Sequence, residues 1–504
     1  MINENASEVQ TFVRGTVDEV RKFTRDTIWT FSGLGFQSVV GLVTVAFLTK
    51  SFPAELYGVW AQISVTTALL APILTLKLDS AYIRFLSGQQ NREKIRQSLG
   101  IVIWPVFSIG FLLLVISWIL RESLSAAIFV DSRYMPFVSL TFLWTAVRAL
   151  FGLSLCYYKA LRRIRRVAVM QIGCSLLQTA ILAILIINGF DLIWVVFSNI
   201  IIQGLFVILV LGLIFLETGV PTLHIRGLKE YVLFSIPILP SALLFWTMNS
   251  SSRYIITHLL GLSYAGIYSV SWSLVNLISF FITPVAANVF YTVSGLWEKG
   301  EVQKVKSYLQ YSTKIFLCLA IPAIVGLSML SQRLLSVLTT SEFLSGELLI
   351  FFLGVGVIFS GVYQINVYVV YLVKETGRLP LVIALAAIIN VGLNLVLIPQ
   401  IGIIGAAVSS MVSHFTLATI VTVWAQKAIG ITIDSKLLVK VVAGSVVMAL
   451  ALYFIRVDGI FGIILAIVTG ATIFGTALFL MRAFSDRERR LMKETIAGLV
   501  PRLN

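Results

Sequence analysis

Four ionisable side chains lie inside long apolar stretches of the sequence: Lys77, Asp79, Arg148 and Arg253. A charge in the hydrocarbon of a membrane costs about 3 kcal/mol by insertion scales, so such residues are functional candidates. Arg148 has no acid within its own stretch, and its guanidinium offers a fork of N–H donors that matches phosphate or carboxylate. We therefore predict that Arg148 binds an anionic group on a substrate. Two alternatives stay open, a buried ion pair with Asp79 and a side chain that snorkels to the inner membrane surface.

A polar stripe accompanies Arg253. Asn249 lies four residues earlier, so both side chains share one helix face, and three serines stand between them. The stripe predicts a surface that faces water or ligand, and the alternative is an interfacial arginine that anchors the helix end. Lys77 and Asp79 are two residues apart and would face different sides of a continuous helix near its cytosolic end, where snorkelling explains both. Asp79 is also the one acid predicted within a span, which makes it the candidate for ion coupling.

Prolines interrupt several of the apolar stretches. A proline inside a helix frees the carbonyl four residues earlier and permits a kink. Pro72, Pro240 and Pro284 are the candidate hinges of a moving helix, and static kinks are the alternative.

The elements that carry these residues must be membrane-spanning helices. Of 504 residues, 58% are hydrophobic and 12% are charged, about half the charged share of a soluble protein. This composition excludes a soluble globular fold. Apolar runs between polar breaks predict an all-α polytopic membrane protein with about 14 transmembrane helices of roughly 20 residues each. Among them, the second span is predicted at about 58–81, the fifth at 167–187 and the seventh at 231–255.

The distribution of charge predicts the orientation of these helices. The formal net charge of +15 would suggest nucleic-acid binding in a soluble protein, but in a membrane protein Lys and Arg accumulate in cytosolic loops. Of 38 Lys and Arg residues, 30 fall in segments predicted to be cytosolic and 5 in external loops. Both termini are therefore expected in the cytosol, and no nucleic-acid partner is expected.

The spans divide into six, six and two. The order is an amphipathic cytosolic surface helix or a frayed tail at 1–26, a first lobe at 27–217, a second lobe at 231–426, two further helices at 437–482 and a basic cytosolic tail at 483–504.

A weak internal repeat relates the two lobes. When the chain is shifted by 208 positions, Gly58 meets Gly266 and Trp60 meets Tyr268. Two parallel repeats, related by an axis along the membrane normal, are typical of transporters that alternate access. The alternative is chance similarity between apolar helices.

Enzymatic motifs are missing from the sequence. There is no GxxxxGK[ST] phosphate-binding loop, no HExxH pair and no cysteine cluster, so neither a cofactor nor a metal is expected. The predicted external loops are too short for the catalytic loop of an integral-membrane polymerase or ligase. We therefore predict a protein that is not an enzyme and that acts as a monomer.

Three segments carry a resemblance to a known family: LTKSFPAELYGVWAQISV at 48–65, NSSSRYIITHLLGLSYAGIYSVSWSL at 249–274 and NVGLNLVLIPQIGIIGAAVSS at 390–410. They resemble the Wzx-type flippases of O-antigen and other lipid-linked oligosaccharides, which belong to the MOP superfamily with the MATE exporters and the MurJ lipid II flippases. Family members often carry an acid before the Arg-Tyr pair, whereas Ser252 stands there in this sequence.

The resemblance implies a flippase of the inner (cytoplasmic) membrane that moves undecaprenyl-pyrophosphate-linked oligosaccharide outward for surface polysaccharide assembly. Its expected partners are the lipid-linked oligosaccharide, membrane lipids and polysaccharide polymerase machinery, and in the family helices 13 and 14 are thought to help house the polyprenyl tail. Arg148, Arg253, Lys77 and Asn249 would form its cationic cavity. A MATE-like multidrug exporter is the main alternative, and an integral-membrane polymerase or ligase is a more distant one.

Overall fold

The computed structural model describes residues 29, 33, 35–89, 91–222, 227–344, 347–432, 434–455 and 459–483. The predicted surface helix at 1–26 and, beyond Ala483, the predicted basic tail lie outside the described residues. Within those ranges, 13 helices are long and apolar enough to cross a membrane, and a shorter apolar helix, Gly35–Ser51, precedes them. The prediction of an all-α polytopic membrane protein is confirmed.

The chain forms two compact units, Met1–Gly266 and Ile267–Asn504. This division falls inside one helix and later than the predicted lobe boundary between 217 and 231, which stays a prediction. The helices of the first unit are α1 (Gly35–Ser51), α2 (Ala54–Thr75), α3 (Leu78–Leu86), α4 (Arg92–Ile119), α5 (Arg121–Phe129), α6 (Met135–Ala160), α7 (Ile164–Ile187), α8 (Leu192–Thr218), α9 (Leu228–Ser235) and α10 (Leu239–Leu260). Helix α11 (Leu262–Val275) crosses the division, and the second unit continues with α12 (Ser279–Glu298), α13 (Val302–Leu338), α14 (Glu347–Leu372), α15 (Leu379–Ile401), α16 (Ile403–Ile429), α17 (Ser435–Phe454) and α18 (Gly459–Leu480).

Helix α6 is the packing centre of the first unit. It contacts α2, α3, α4, α5, α7 and α8. Leu74 of α2, Tyr82 of α3, Leu99 of α4 and Tyr158 of α6 belong to one buried cluster. In the second unit α14 and α16 pack along each other, while α13 contacts both α14 and α17.

Two of the spans in the first unit are broken. The predicted second span, 58–81, ends as a helix at Thr75; Leu76 (φ 47°) and Lys77 (φ 55°) adopt the left-handed conformation, and α3 starts anew. The predicted seventh span, 231–255, consists of α9, a 3₁₀ turn at Ile236–Ile238 and α10. Because α3 contacts α9 and α2 contacts α10, the two broken spans lie alongside each other.

Helices α2 and α11 approach so closely that glycine is required at two positions. A Cβ atom on Gly58 would lie 2.0 Å from the carbonyl oxygen of Leu262, and one on Gly266 would lie 2.4 Å from that of Ala54. Both residue pairs, 54 with 262 and 58 with 266, are related by the 208-position shift. The two contacts are therefore one contact with its partners exchanged.

Candidate functional site

One face of the buried helix α6 is accessible. Between Phe137 and Tyr158 the exposed residues are Arg148 and Gly152, which are four residues apart and share a face. Toward the start of the helix the same face is closed, because Thr141 and Thr145 are buried there. The accessible surface on this face of α6 therefore begins at Arg148.

Arg148 is an isolated charge on this accessible face. It forms no ion pair and no hydrogen bond with any other described residue, and the predicted alternative of a pair with Asp79 is not seen. A guanidinium in a membrane span needs an anion or water, because leaving a buried charge uncompensated is costly. The partner of Arg148 must therefore come from outside the described residues.

Lys77 and Asp79 instead pair with each other. The Lys77 Nζ lies 3.3 Å from the Asp79 Oδ2, with 23% and 31% of the two side chains exposed. The expectation that they face different sides was wrong, because the helix is interrupted at Leu76 and Lys77 and does not carry its periodicity through them. The carboxylate neutralises the lysine, so Arg148 and Arg253 hold the positive surplus in the spans of the first unit.

The polar stripe on α10 is enclosed. Arg253 is 8% exposed and the three serines before it are buried, while Asn249 is half-buried and its Nδ2 donates to the Phe245 carbonyl oxygen at 2.7 Å. Such low exposure disfavours an arginine that reaches to the membrane surface. The stripe lies within protein.

Two hydrogen bonds connect α10 to α2 beside this stripe. The Tyr254 hydroxyl and the Thr66 Oγ1 are 2.5 Å apart, and the Trp246 Nε1 donates to the Val65 carbonyl oxygen at 3.0 Å. Since α2 also contacts α6, it touches the helices of both Arg148 and Arg253, and α5 does so as well.

The three predicted hinge prolines lie close to helix breaks. Pro72 is inside α2, one turn before Leu76, and Pro240 is in the first turn of α10, directly after the 3₁₀ turn. Pro284 lies within α12, which follows another 3₁₀ turn at Asn276–Ile278.

The sequence analysis missed a network at the end of α8. Glu217 accepts hydrogen bonds from Arg163 Nη1 at 2.5 Å and from the Tyr157 hydroxyl at 3.0 Å, and its other oxygen is paired with Arg166. The basic connection between α6 and α7 is thereby held against α8. The sequence did contain a signal for this network: Glu217 is a lone acid at the end of an apolar run, and the connection between α6 and α7 is strongly basic.

A family model described as "Polysaccharide biosynthesis protein" matches residues 52–346, which is more than half of the chain. The chain belongs to this polysaccharide biosynthesis protein family. The match runs from the start of α2 to the connection before α14, so it includes α6 and α10, which carry Arg148 and Arg253.

Relatives share parts of this sequence. The chain is 26% identical to the probable flippase AglR of Haloferax volcanii over 246 residues, 46% of this chain and 51% of that protein. It is 27% identical to the probable low-salt glycan biosynthesis flippase Agl15 of the same organism over 151 residues, 30% of this chain and 32% of that protein. The chain thus aligns with about a third to a half of the length of these curated relatives.

Solved structures show the same fold. The lipid II flippase MurJ in an inward closed conformation superposes with a TM-score of 0.76 at 15% identity, over 90% of this chain and 99% of that one. An inward-facing multidrug resistance MATE family transporter of the MOP superfamily gives a TM-score of 0.62 at 14% identity, over 78% of this chain and 94% of that one. The chain therefore has the fold of these multi-pass membrane proteins.

Proposed function

We propose that this protein is a flippase that moves undecaprenyl-pyrophosphate-linked oligosaccharide across the cytoplasmic membrane for surface polysaccharide assembly. The observation that carries the proposal is Arg148, an accessible cation without a partner among the described residues, on the packing centre of the first unit. Arg148 binds the pyrophosphate through charge-assisted hydrogen bonds, and Arg253 and Asn249 add polar contacts. The names of the two Haloferax relatives support flippase activity, and that of Agl15 also supports a role in glycan biosynthesis.

Transport proceeds by alternating access of two lobes, without covalent chemistry at any residue. Pro72 and Pro240 lie at the breaks of two adjacent spans, so bending at the breaks is the motion that opens and closes access to Arg148. The same proposal places both termini in the cytosol, takes the working unit as a monomer and includes membrane lipids and the polymerase machinery as its partners.

A MATE-like exporter of cationic drugs is disfavoured by the state of Asp79. An exporter of cations needs an acid to receive them, and this carboxylate is already paired with Lys77. An arginine without an acid, as at Arg148, repels a cation and attracts an anion.

The proposal is tested by reconstituting the full chain in proteoliposomes that carry the lipid-linked oligosaccharide in the inner leaflet. An impermeant glycosidase then reports how fast the sugar reaches the outer leaflet. We expect Arg148→Ala to slow translocation at least about tenfold, since one charge-assisted contact is worth about 1.5 to 3 kcal/mol. Arg148→Lys should retain part of the rate, because a lysine keeps the charge but loses the fork.

Arg121→Ala is the matched control, because Arg121 is an exposed arginine of the same unit that stacks on Trp118 away from the accessible face of α6. It should translocate at the wild-type rate. Full activity of Arg148→Ala would refute the proposed role of the cation.

A further inference from the structure

The second unit contains a polar chamber beside an apolar one. The polar chamber has a volume of about 550 Å³ and is lined by α13, by Asn366 of α14, by the connection after α16 and by the start of α17. The apolar chamber has a volume of about 520 Å³ and is lined by α13, α14, α16 and α17. Leu317 and Leu438 belong to the walls of both, so the two chambers are neighbours.

The wall formed by α13 changes character along one helix face. Gln310, Thr313 and Lys314 line the polar chamber, and after Leu317 the same face lines the apolar chamber with Ile321. These positions are three or four residues apart, so they form a single stripe.

Helix α14 shows the same change in the opposite direction along the chain. Phe351, Val355 and Val362 line the apolar chamber, and Asn366 ends the stripe in the polar one. Two helices, α13 and α14, therefore place polar side chains in one chamber and apolar side chains in its neighbour. A cavity of this kind fits an amphipathic molecule.

The polar chamber contains two buried oxygen atoms with nothing to bond to. Thr313 is 5% exposed and Asn366 is fully buried, and neither Thr313 Oγ1 nor Asn366 Oδ1 has a hydrogen-bond partner among the described residues. The amide nitrogen of Asn366 is used, since it donates to Thr422 Oγ1 at 2.9 Å. A buried polar atom left without a partner costs about 1 to 3 kcal/mol, so a headgroup that reached either atom would gain a hydrogen bond that the described residues do not supply.

The charges in this chamber favour an anion. Lys314 and Lys436 supply two cations, and Asp434 is the acid in the wall. The Asp434 Oδ1 accepts from the backbone N–H of Leu437 at 3.1 Å as the N-cap of α17, so the helix end engages the carboxylate. A ligand in the chamber therefore meets a positive surplus together with hydroxyl and amide groups.

We propose that the two neighbouring chambers together bind a phosphate-bearing lipid, with its headgroup in the polar chamber and its hydrocarbon chain in the apolar one. The site consists of residues of the second unit alone. Lys314 and Lys436 contact the phosphate, and Thr313 donates its hydroxyl proton to a headgroup oxygen. The apolar part of the α13 stripe, from Leu317 to Val325, is about 12 Å long, close to the roughly 15 Å depth of one leaflet. Assigning this lipid to the transported molecule rests on the proposed function, whereas phosphate recognition itself does not.

Native mass spectrometry of the full chain, titrated with defined lipids, tests this proposal. The probes are phosphatidylglycerol, undecaprenyl phosphate and zwitterionic phosphatidylcholine. We expect both anionic lipids to bind at least about tenfold more tightly than phosphatidylcholine, and the double variant Lys314→Gln/Lys436→Gln to lose that preference. Lys299→Gln/Lys304→Gln is the matched control, because it removes the same charge from exposed positions outside the chamber.

The hydrocarbon part is tested with Ile321→Trp, which fills the apolar chamber, against Leu319→Trp on an exposed position of the same helix. The first should weaken binding of both anionic lipids and the second should not.

Tighter binding of undecaprenyl phosphate than of phosphatidylglycerol assigns the site to the transported lipid, and equal binding assigns it to bulk anionic lipid. Unchanged binding in the double lysine variant, or equal loss in its control, would overturn the proposal. In an Arg148→Ala background, Lys314→Gln/Lys436→Gln should still cause the same loss of preference, so this site is measured apart from any lipid that Arg148 binds. A failure of the proposed function shows instead as a translocation rate that Arg148→Ala leaves unchanged.

Discussion

Arg148 and Lys77 are both cations in apolar stretches, yet only Lys77 meets a carboxylate. The difference lies in the backbone. The left-handed pair Leu76–Lys77 turns the chain so that Asp79 comes within 3.3 Å of the lysine, while α6 continues unbroken past Arg148. Sequence patterns identified both as candidates, because an intramembrane charge is visible in the sequence. Tertiary contacts decide which of the two cations is left without a carboxylate, and no local sequence pattern encodes those contacts.

Glu217 provides the prediction at the residue scale. Glu217→Gln leaves Arg163 and Arg166 without their carboxylate, while the Tyr157 hydroxyl still finds an oxygen. Because these side chains are between 30% and 50% exposed, the pairs contribute about 1 kcal/mol together, and we expect the unfolding temperature to fall by a few degrees. Scanning fluorimetry of the purified protein measures the shift. Glu230→Gln removes an exposed acid from α9 and should leave the temperature unchanged; equal shifts in the two variants would show that the network adds nothing.

At the scale of the elements, the spans were predictable and their breaks were not. Length and apolar composition locate a membrane helix to within a few residues, as for Ile164–Ile187 against a predicted 167–187. The break after α2 leaves no such signal, because Leu and Lys both favour helix. Its left-handed conformation, which costs about 1 to 2 kcal/mol per residue, is offset by burying Leu78 and Tyr82 of α3 in the core of the first unit.

Pro72 offers a test of whether this break moves. Pro72→Ala restores the missing backbone hydrogen bond to the carbonyl of Ala68 and should stiffen α2. We expect translocation in proteoliposomes to slow severalfold, while the unfolding temperature stays the same or rises. Pro105→Ala is the matched control, since Pro105 lies inside α4, a span of the same unit without a break. If both variants translocate at the same rate, the break is a static feature.

At the scale of the whole molecule, the repeat stays a prediction, but two of its matched positions, Gly58 and Gly266, take part in one reciprocal contact. Only a few identities survive at the 208-position shift, because most positions in a membrane helix accept any apolar residue. Gly58 and Gly266 survive because a Cβ at either position would overlap a backbone oxygen. The contact is reciprocal, so the space constraint at one glycine is matched by the same constraint at the other.

This reciprocity makes a quantitative prediction for Gly58→Ala and Gly266→Ala. Each methyl group would meet a carbonyl oxygen at 2.0 or 2.4 Å, so α2 and α11 must move apart, and we expect each variant to lose a similar amount, about 3 kcal/mol. Because both clashes are relieved by the same separation, the double variant should lose much less than the sum of the two. Folded yield and unfolding temperature measure the losses. Gly204→Ala, where a Cβ meets nothing within 4 Å, should be neutral or stabilising, and additive losses in the double variant would mean that the two glycines serve independent contacts.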